Sequence, residues 1–247
     1  MSAALSVLRA PAGEGLNWLK EAWMLFKDAA LPWMGVTAAA FLALMLLALI
    51  PGIGQHLVEL LSPFLVAAFM AAARAAENRE PVNFLHLGAG FRSAPQPLLV
   101  VGVAYLAGTL LIELIMRGIG GASLQQLGQI AVDPRAMNPE EAREILDRAA
   151  PSLLIGLTLL TPLLMATLFA PALILFHGFR PGNALWWSLW ACGRNWRALL
   201  VYSLLLGALG TLALIIPLGL GMLVFLPLAM ISTYRAYRTL FRPTESE

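Results

Sequence analysis

Residues 152–176 read SLLIGLTLLTPLLMATLFAPALILF, a stretch of 25 residues without a charged side chain. A helix rises about 1.5 Å per residue, so about 20 mostly apolar residues cross the hydrocarbon layer of a bilayer, which is about 30 Å thick. The stretch is long enough for such a crossing. We therefore predict that it is a transmembrane helix.

Five further stretches have the same character, so the sequence predicts six spans, at residues 31–50, 57–76, 97–116, 152–176, 198–216 and 218–237. The composition agrees with this, because 60% of the residues are hydrophobic and 12% are charged, against about 45–50% and about 25% in a soluble domain. The expected fold class is an all-α polytopic membrane protein. The formal net charge of +2 gives no reason to expect a nucleic-acid partner.

The distribution of Lys and Arg predicts the orientation, because these residues resist translocation across a membrane. Twelve of the 16 fall on the side of the two termini, and the other four lie in or beside the segment between the third and fourth spans: Arg117, Arg135, Arg143 and Arg148. Both termini are therefore expected in the cytoplasm. We see no cleavable signal peptide before the first span, which we expect to remain in the mature protein.

Three similar units are predicted within a single integral membrane domain, at about residues 14–76, 81–177 and 181–238, with an extracytoplasmic insert at 118–150 in the second. Each unit consists of an amphipathic interfacial helix, a straight span and a span with an interior proline (Pro63, Pro171 and Pro227). Two spans per unit would make the copies parallel, as a pseudo-threefold repeat. The alternative is that short patterns of this kind occur by chance in any hydrophobic six-span chain.

Two local patterns refine this scheme. In the third amphipathic segment, residues 183–196, Trp186 and Trp190 fall on the apolar face, whereas Ser188 and Asn195 fall on the polar face. In the insert, Asn138-Pro139-Glu140-Glu141 is typical of a helix start, with Asn as the N-cap. It predicts a separate short helix that ends near residue 149.

Only two acidic residues fall within or at the edge of the spans, and both are candidates for a transport or relay role. Glu59 lies close to His56 in the sequence, in the first turn of its span. Glu113 lies four residues before Arg117, where an ion pair on one helix face can form. Each therefore also has a purely structural explanation.

Basic and aromatic residues are concentrated at the predicted cytoplasmic boundary, where they favour contact with membrane lipids. The candidate headgroup contacts are Lys27, Arg92, Arg194, Arg197, Trp186 and Trp190. The same residues could simply anchor the protein at the bilayer surface.

No pattern of catalytic, metal-binding or cofactor-binding residues occurs in the sequence. The three histidines, His56, His86 and His177, do not have metal-ligand spacing, and Cys192 lies on an apolar strip without an evident base. We therefore expect no enzymatic activity and no cofactor.

Several short motifs stand out, and they are Phe169-Ala-Pro-Ala-Leu173, His177, Pro181, Ala191-Cys-Gly-Arg-Asn-Trp-Arg-Ala198, Gly90-Phe-Arg92 and Pro97-Leu-Leu-Val100. With these motifs the sequence resembles the BPSS-type family of uncharacterised proteobacterial inner-membrane proteins. The resemblance implies a multi-pass protein of the bacterial inner membrane and no particular activity. A weaker similarity is to the membrane domain of glycerophosphodiester phosphodiesterases.

The sequence therefore predicts a non-enzymatic inner-membrane protein that acts as a scaffold, as the partner of another membrane protein, or in lipid organisation. The alternative is a small transporter or channel that uses Glu59 or Glu113.

Overall fold

The computed structural model describes residues 5–132 and 138–243, which form ten α-helices and one two-stranded sheet. The helices are α1 (Glu14–Asp28), α2 (Ala30–Ala48), α3 (Gly54–Glu77), α4 (Ala89–Ser93), α5 (Pro95–Val132), α6 (Pro139–Leu168), α7 (Ala170–His177), α8 (Pro181–Arg194), α9 (Trp196–Ile215) and α10 (Leu220–Leu240). Short 3₁₀ turns occur at Phe84–Gly88 and Pro217–Gly219. Strands β1 (Leu5–Val7) and β2 (Phe241–Pro243) pair antiparallel, with Ser6 opposite Arg242.

The described residues contain six helical stretches that are long and apolar enough to cross a membrane. They are Ala30–Ala48, Gly54–Glu77, Pro95–Gly128, Glu140–His177, Trp196–Ile215 and Leu220–Leu240. Within a bilayer only helices and closed barrels satisfy all of their backbone hydrogen bonds internally. The predicted all-α, six-span architecture is confirmed.

The third and fourth spans are longer than predicted. Helix α5 continues through residue 132, with a local break at Gly120 (φ −139°, ψ 28°). The predicted cap at Asn138 is confirmed, since its side-chain oxygen accepts from the N–H of Glu140 at 3.1 Å. The prediction of a separate helix that ends near residue 149 is wrong, because α6 runs on without interruption into the span. Ile145 and Ala149 are buried. The helix that contains this polar segment therefore has an apolar face that packs inside the protein.

The predicted proline pattern holds for two of the three spans. Pro63 and Pro227 lie inside α3 and α10. Pro171 instead stands in the first turn of α7, after a break at Phe169, where the missing N–H removes no helical hydrogen bond. The N–H of Phe169 at this break donates to Ser188 Oγ at 3.0 Å. The fourth span therefore has no kink at Pro171 within a continuous helix, and within residues 152–176 the interior helical proline is instead Pro162, inside α6.

The chain divides into two compact units. The first comprises Met1–Gly102 and Ala166–Glu247, as far as they are described, and the second is Val103–Met165. In the first unit α10 packs against α1, α2, α3 and α9, and Trp18, Trp33 and Tyr234 are among its fully buried side chains. In the second unit, Gly108 lies against Leu163 and Gly156 against Met116. Small residues at these positions let the helices approach closely, as is common between membrane helices.

The three predicted interfacial segments differ in structure. Helix α1 buries Trp18, Leu19, Ala22 and Phe26, whereas the second segment is a 3₁₀ turn followed by the single turn α4, capped by Asn83. The predicted polar face of α8 needs correction, because Ser188 is fully buried within the protein. Asn195, at the end of α8, is also buried. Trp186, on the predicted apolar face, is 65% exposed, as expected for a side chain that faces the bilayer. The polar side chains here satisfy backbone groups inside the protein, and the tryptophans face outward.

Candidate headgroup site

The corner between α8 and α9 is held to the N-terminal segment by the side chain of Asn195. Its amide nitrogen donates to the carbonyl oxygens of Leu8 and Ala191, each at 3.0 Å, and its amide oxygen accepts from the N–H of Ala10 at 2.8 Å. The N–H of Leu8 also donates to the carbonyl of Leu240 at 2.9 Å. Residues 8–10 are therefore fixed beside the corner.

This arrangement brings Arg9 to the same cavity as Arg194 and Arg197. The cavity has a volume of about 540 Å³ and is also lined by residues 10–12, Gly193, Asn195 and Trp196. Among the residues that the structure describes, no carboxylate lines it, and none of the three arginines forms an ion pair. We call it the arginine cavity.

The start of α9 adds to the positive character of the arginine cavity. The first N–H groups of a helix have no partner within the helix, and the helix dipole places partial positive charge there. Trp196 and Arg197, the first two residues of α9, both line the cavity. An anionic group such as a phosphate could therefore meet guanidinium and backbone donors together.

Tryptophan rings support two of these arginines. The guanidinium carbon of Arg194 lies 5.3 Å from the ring centre of Trp190, and that of Arg197 lies 5.4 Å from the ring centre of Trp196. Both rings are partly exposed, Trp190 by 43% and Trp196 by 55%. Such cation–π contacts orient a guanidinium while leaving its N–H groups available. The arginine cavity thus lies beside exposed tryptophans, which are predicted to lie at the membrane boundary.

The other predicted headgroup contacts do not line the arginine cavity. Lys27 is exposed in the last turn of α1, and Trp186 is exposed on α8. The guanidinium of Arg92 donates to the carbonyl of Leu85 within its own short segment. Arg9 was not among the predicted contacts, because only the folding of the N-terminal strand onto β2 places it there.

A second charged cluster, which the sequence did not indicate, joins α1, α3 and α10. Arg235 pairs with Glu21 at 2.5 Å and with Glu77. Glu77 also accepts from the hydroxyl of Tyr234 at 2.5 Å and lies 3.2 Å from Arg238 Nε. We call these five residues the charge network. Its charges are paired with one another, so it fastens three helices together and leaves little capacity for a ligand.

The two predicted transport candidates lie in different units. Glu59, in the second turn of α3, has its Oε2 3.9 Å from His56 Nδ1. Glu113 forms the expected ion pair with Arg117, at 2.5 Å, and both line a cavity of about 610 Å³ in the second unit. Both acids therefore have local partners.

Cys192 is buried on α8. Burial raises the pKa of its thiol to about 12. Since the thiolate is the nucleophilic form of cysteine, the side chain stays protonated and unreactive near neutral pH.

The fold and these sites define a polytopic all-helical membrane protein with polar clusters at the ends of its helices. A probable inner membrane protein of Burkholderia thailandensis is 30% identical to the chain over 247 residues, and the match covers 94% of the chain and 90% of the relative. The chain belongs to the same family of inner membrane proteins. No family model matches the chain. No solved structure matches it significantly.

Proposed function

We propose that this protein is a non-enzymatic component of the bacterial inner membrane that organises lipids by binding the headgroups of anionic phospholipids in the arginine cavity. The observation that carries the proposal is the convergence of Arg9, Arg194 and Arg197 around one cavity that no carboxylate of the described residues lines. The membrane location follows from the six spans and the family. Similarity of the chain to the membrane domain of phosphodiesterases remains a prediction.

Arginine suits this role for two reasons. Its planar guanidinium can donate two parallel hydrogen bonds to a phosphate, and it remains protonated at all physiological pH values. Each basic residue near an anionic leaflet contributes about 1 kcal/mol to binding. Because a permanently charged guanidinium cannot exchange protons, this arrangement supports binding better than acid–base catalysis.

We also propose that the cavity faces the cytoplasmic leaflet. Pairing of β1 with β2 supports a common side for both ends of the chain. Arg9, Arg194 and Arg197 belong to the larger group of basic residues that the positive-inside rule assigns to the cytoplasm.

The transporter alternative has weaker geometric support. Glu113 does line a cavity, but its carboxylate is paired with Arg117, and the pair is largely exposed, with 71% of the Arg117 side chain accessible. An ion pathway through a membrane needs such groups to face the bundle interior or a water-filled path. The alternative predicts that Glu59→Gln and Glu113→Gln abolish ion or substrate flux in proteoliposomes, and unchanged flux would remove it.

The proposal can be tested by exchanging two arginines of the cavity. We expect Arg194→Gln/Arg197→Gln to lose about 2 kcal/mol of preference for anionic lipid, about thirtyfold in relative affinity. Native mass spectrometry of protein taken from nanodiscs of equal parts phosphatidylglycerol and phosphatidylcholine would measure the retained lipids.

The matched control is Arg79→Gln/Arg180→Gln, which removes the same charge from exposed positions that neither line the cavity nor belong to the predicted headgroup contacts. It should retain phosphatidylglycerol like the unmodified protein. Addition of millimolar inorganic phosphate distinguishes a site for lipid from a site for free phosphate. If the cavity is a site for free phosphate, the added phosphate would displace the bound phosphatidylglycerol. An equal loss of retained phosphatidylglycerol in both double variants, or no loss of it in either, would contradict the proposal.

A further inference from the structure

An apolar groove lies between α1, α9 and α10, apart from the arginine cavity. It has a volume of about 920 Å³, and Lys20 is its one charged lining residue. Its lining extends on α9 from Leu205 to Ala213, includes Ile216 just after that helix, and extends on α10 from Leu220 to Leu228. Met34 of α2 also lines it. We call it the hairpin groove.

The length of the hairpin groove matches one leaflet of a bilayer. Leu205 lies in α9 and Ile216 follows the last residue of that helix, so the lining extends over ten helical steps, from Leu205 to the helix end at Ile215, which correspond to about 15 Å. Half of the hydrocarbon layer is about 15 Å thick. A groove of this length accommodates one lipid chain from its headgroup end to the bilayer centre.

The hairpin groove has one polar end. Helix α1 crosses near the start of α9, where a Cβ on Gly15 would lie 2.8 Å from the carbonyl oxygen of Ala198. Lys20 of α1 is therefore at the end of the groove nearer the start of α9, and the turn between α9 and α10 is at the other. Lys20 is exposed and forms no ion pair with any described residue. Its charge is complementary to a lipid phosphate.

The shape of the hairpin groove favours a flexible chain over a partner helix. Among its small lining residues, Ala213 and Gly221 are buried and Ala208 is exposed, so the first two form its floor. Large side chains stand at its edges, with Leu212 exposed by 61% and Leu220 by 54%. Membrane helices associate through small residues that let their backbones come close together. Here the edges hold a helical backbone away from the floor, whereas an acyl chain can enter.

We propose that the hairpin groove binds one acyl chain of a phospholipid whose phosphate lies beside Lys20. The choice of an anionic phospholipid as the ligand rests on the proposed function. The acyl-chain site depends only on the shape and lining of the hairpin groove. The groove thus provides a second lipid contact, which selects the chain by its length and shape.

The test fills the hairpin groove with an indole ring. Ala208 is exposed within the groove, so Ala208→Trp occupies it without burial of a larger side chain in the core. The control is Gly207→Trp, since Gly207 does not line the groove and a Cβ there meets no atom within 4 Å. A second filling variant, Val224→Trp on α10, guards against misfolding of the first.

The probe is phosphatidylglycerol with a diazirine in its acyl chain, in phosphatidylcholine vesicles that contain the full-length protein. We expect photocrosslinks on α9 between residues 205 and 215, at least fivefold weaker in the two filling variants and unchanged in Gly207→Trp. Unchanged crosslinking in Ala208→Trp and Val224→Trp would overturn the inference. A photoreactive amino acid in place of Ala208 that joins the groove to a second protein in native membranes, and to no lipid, would also overturn it.

The same preparations separate the two proposals. If Arg194→Gln/Arg197→Gln keeps its headgroup preference while the filling variants lose acyl crosslinks, the proposed function is wrong and the groove remains. If instead the arginine variant loses its headgroup preference and the filling variants keep their acyl crosslinks, the proposal for the arginine cavity stands and that for the hairpin groove is wrong.

Discussion

The side chain of Asn195 connects parts of the chain that are far apart in sequence. Its three hydrogen bonds reach Leu8, Ala10 and Ala191, and only 3% of the residue is exposed. A buried primary amide can donate two hydrogen bonds and accept others at the same time. A hydroxyl can donate only one, and an ionised carboxylate can donate none. One residue thus fixes the N-terminal segment and, through it, Arg9.

We predict that Asn195→Leu destabilises the protein and impairs the arginine cavity. The N–H of Ala10 and the carbonyl of Leu8 lose their side-chain partner, at a cost of about 1–3 kcal/mol for each group that stays buried. The variant should unfold earlier in detergent, and trypsin should cleave faster after Arg9. The control Asn183→Leu changes an exposed residue of α8. Equal stability of the two variants would exclude this role of Asn195.

At the scale of elements, the charge network explains how α1, α3 and α10 are held together at one end. Arg235 contributes to two ion pairs, and Glu77 interacts with three side chains of α10. Their side chains are only 23% and 24% exposed. Charged hydrogen bonds that are partly removed from water contribute more than those at the surface.

We predict that Glu77→Gln lowers the free energy of unfolding by about 1.5–3 kcal/mol, as expected for a hydrogen-bonded charged group. Glu113→Gln breaks an ion pair in which Arg117 is 71% exposed, and should cost less than about 1 kcal/mol. Chemical denaturation in mild detergent would measure both values. A double-mutant cycle of Glu77→Gln with Arg235→Gln should show coupling, and its absence would mean that the two residues act independently.

The sequence predicted the elements better than their faces. Six spans follow from apolar runs of sufficient length, because the bilayer imposes that length on each helix by itself. The face of α8 depends on its neighbours, so Ser188 and Asn195 were assigned to the wrong side. The charge network was missed since its members come from three segments, with Glu21 and Arg235 214 residues apart. Arg194 and Arg197 were found because they are close in the sequence, whereas Arg9 was not.

At the scale of the whole molecule, the ends of the described chain meet. Strand β1 pairs with β2, and the Leu8 N–H bonds to the end of α10. An even number of spans requires the two ends to lie on the same side, and the strand pairing is consistent with that. The distribution of Lys and Arg predicts that this side is the cytoplasm, because most of these residues lie in the termini and in the loops on the side of the termini.

We predict that an impermeant maleimide added to intact cells labels Gln125→Cys, and labels Asn78→Cys only after the membrane is opened. Gln125 lies in the last part of the helix of the third span, beyond the crossing predicted at residues 97–116, and Asn78 lies between the second and third spans. A helix of 34 residues is about 50 Å long and extends past the hydrocarbon layer, so we expect the membrane to separate the two positions. The native thiol gives little background, because Cys192 is buried and its pKa is raised to about 12. The opposite labelling pattern would place the termini and the arginine cavity outside the cytoplasm, where the headgroup proposal would have to apply to the other leaflet. Labelling of both positions in intact cells would contradict the order of the crossings itself, since no arrangement of six sequential spans exposes both segments on one side.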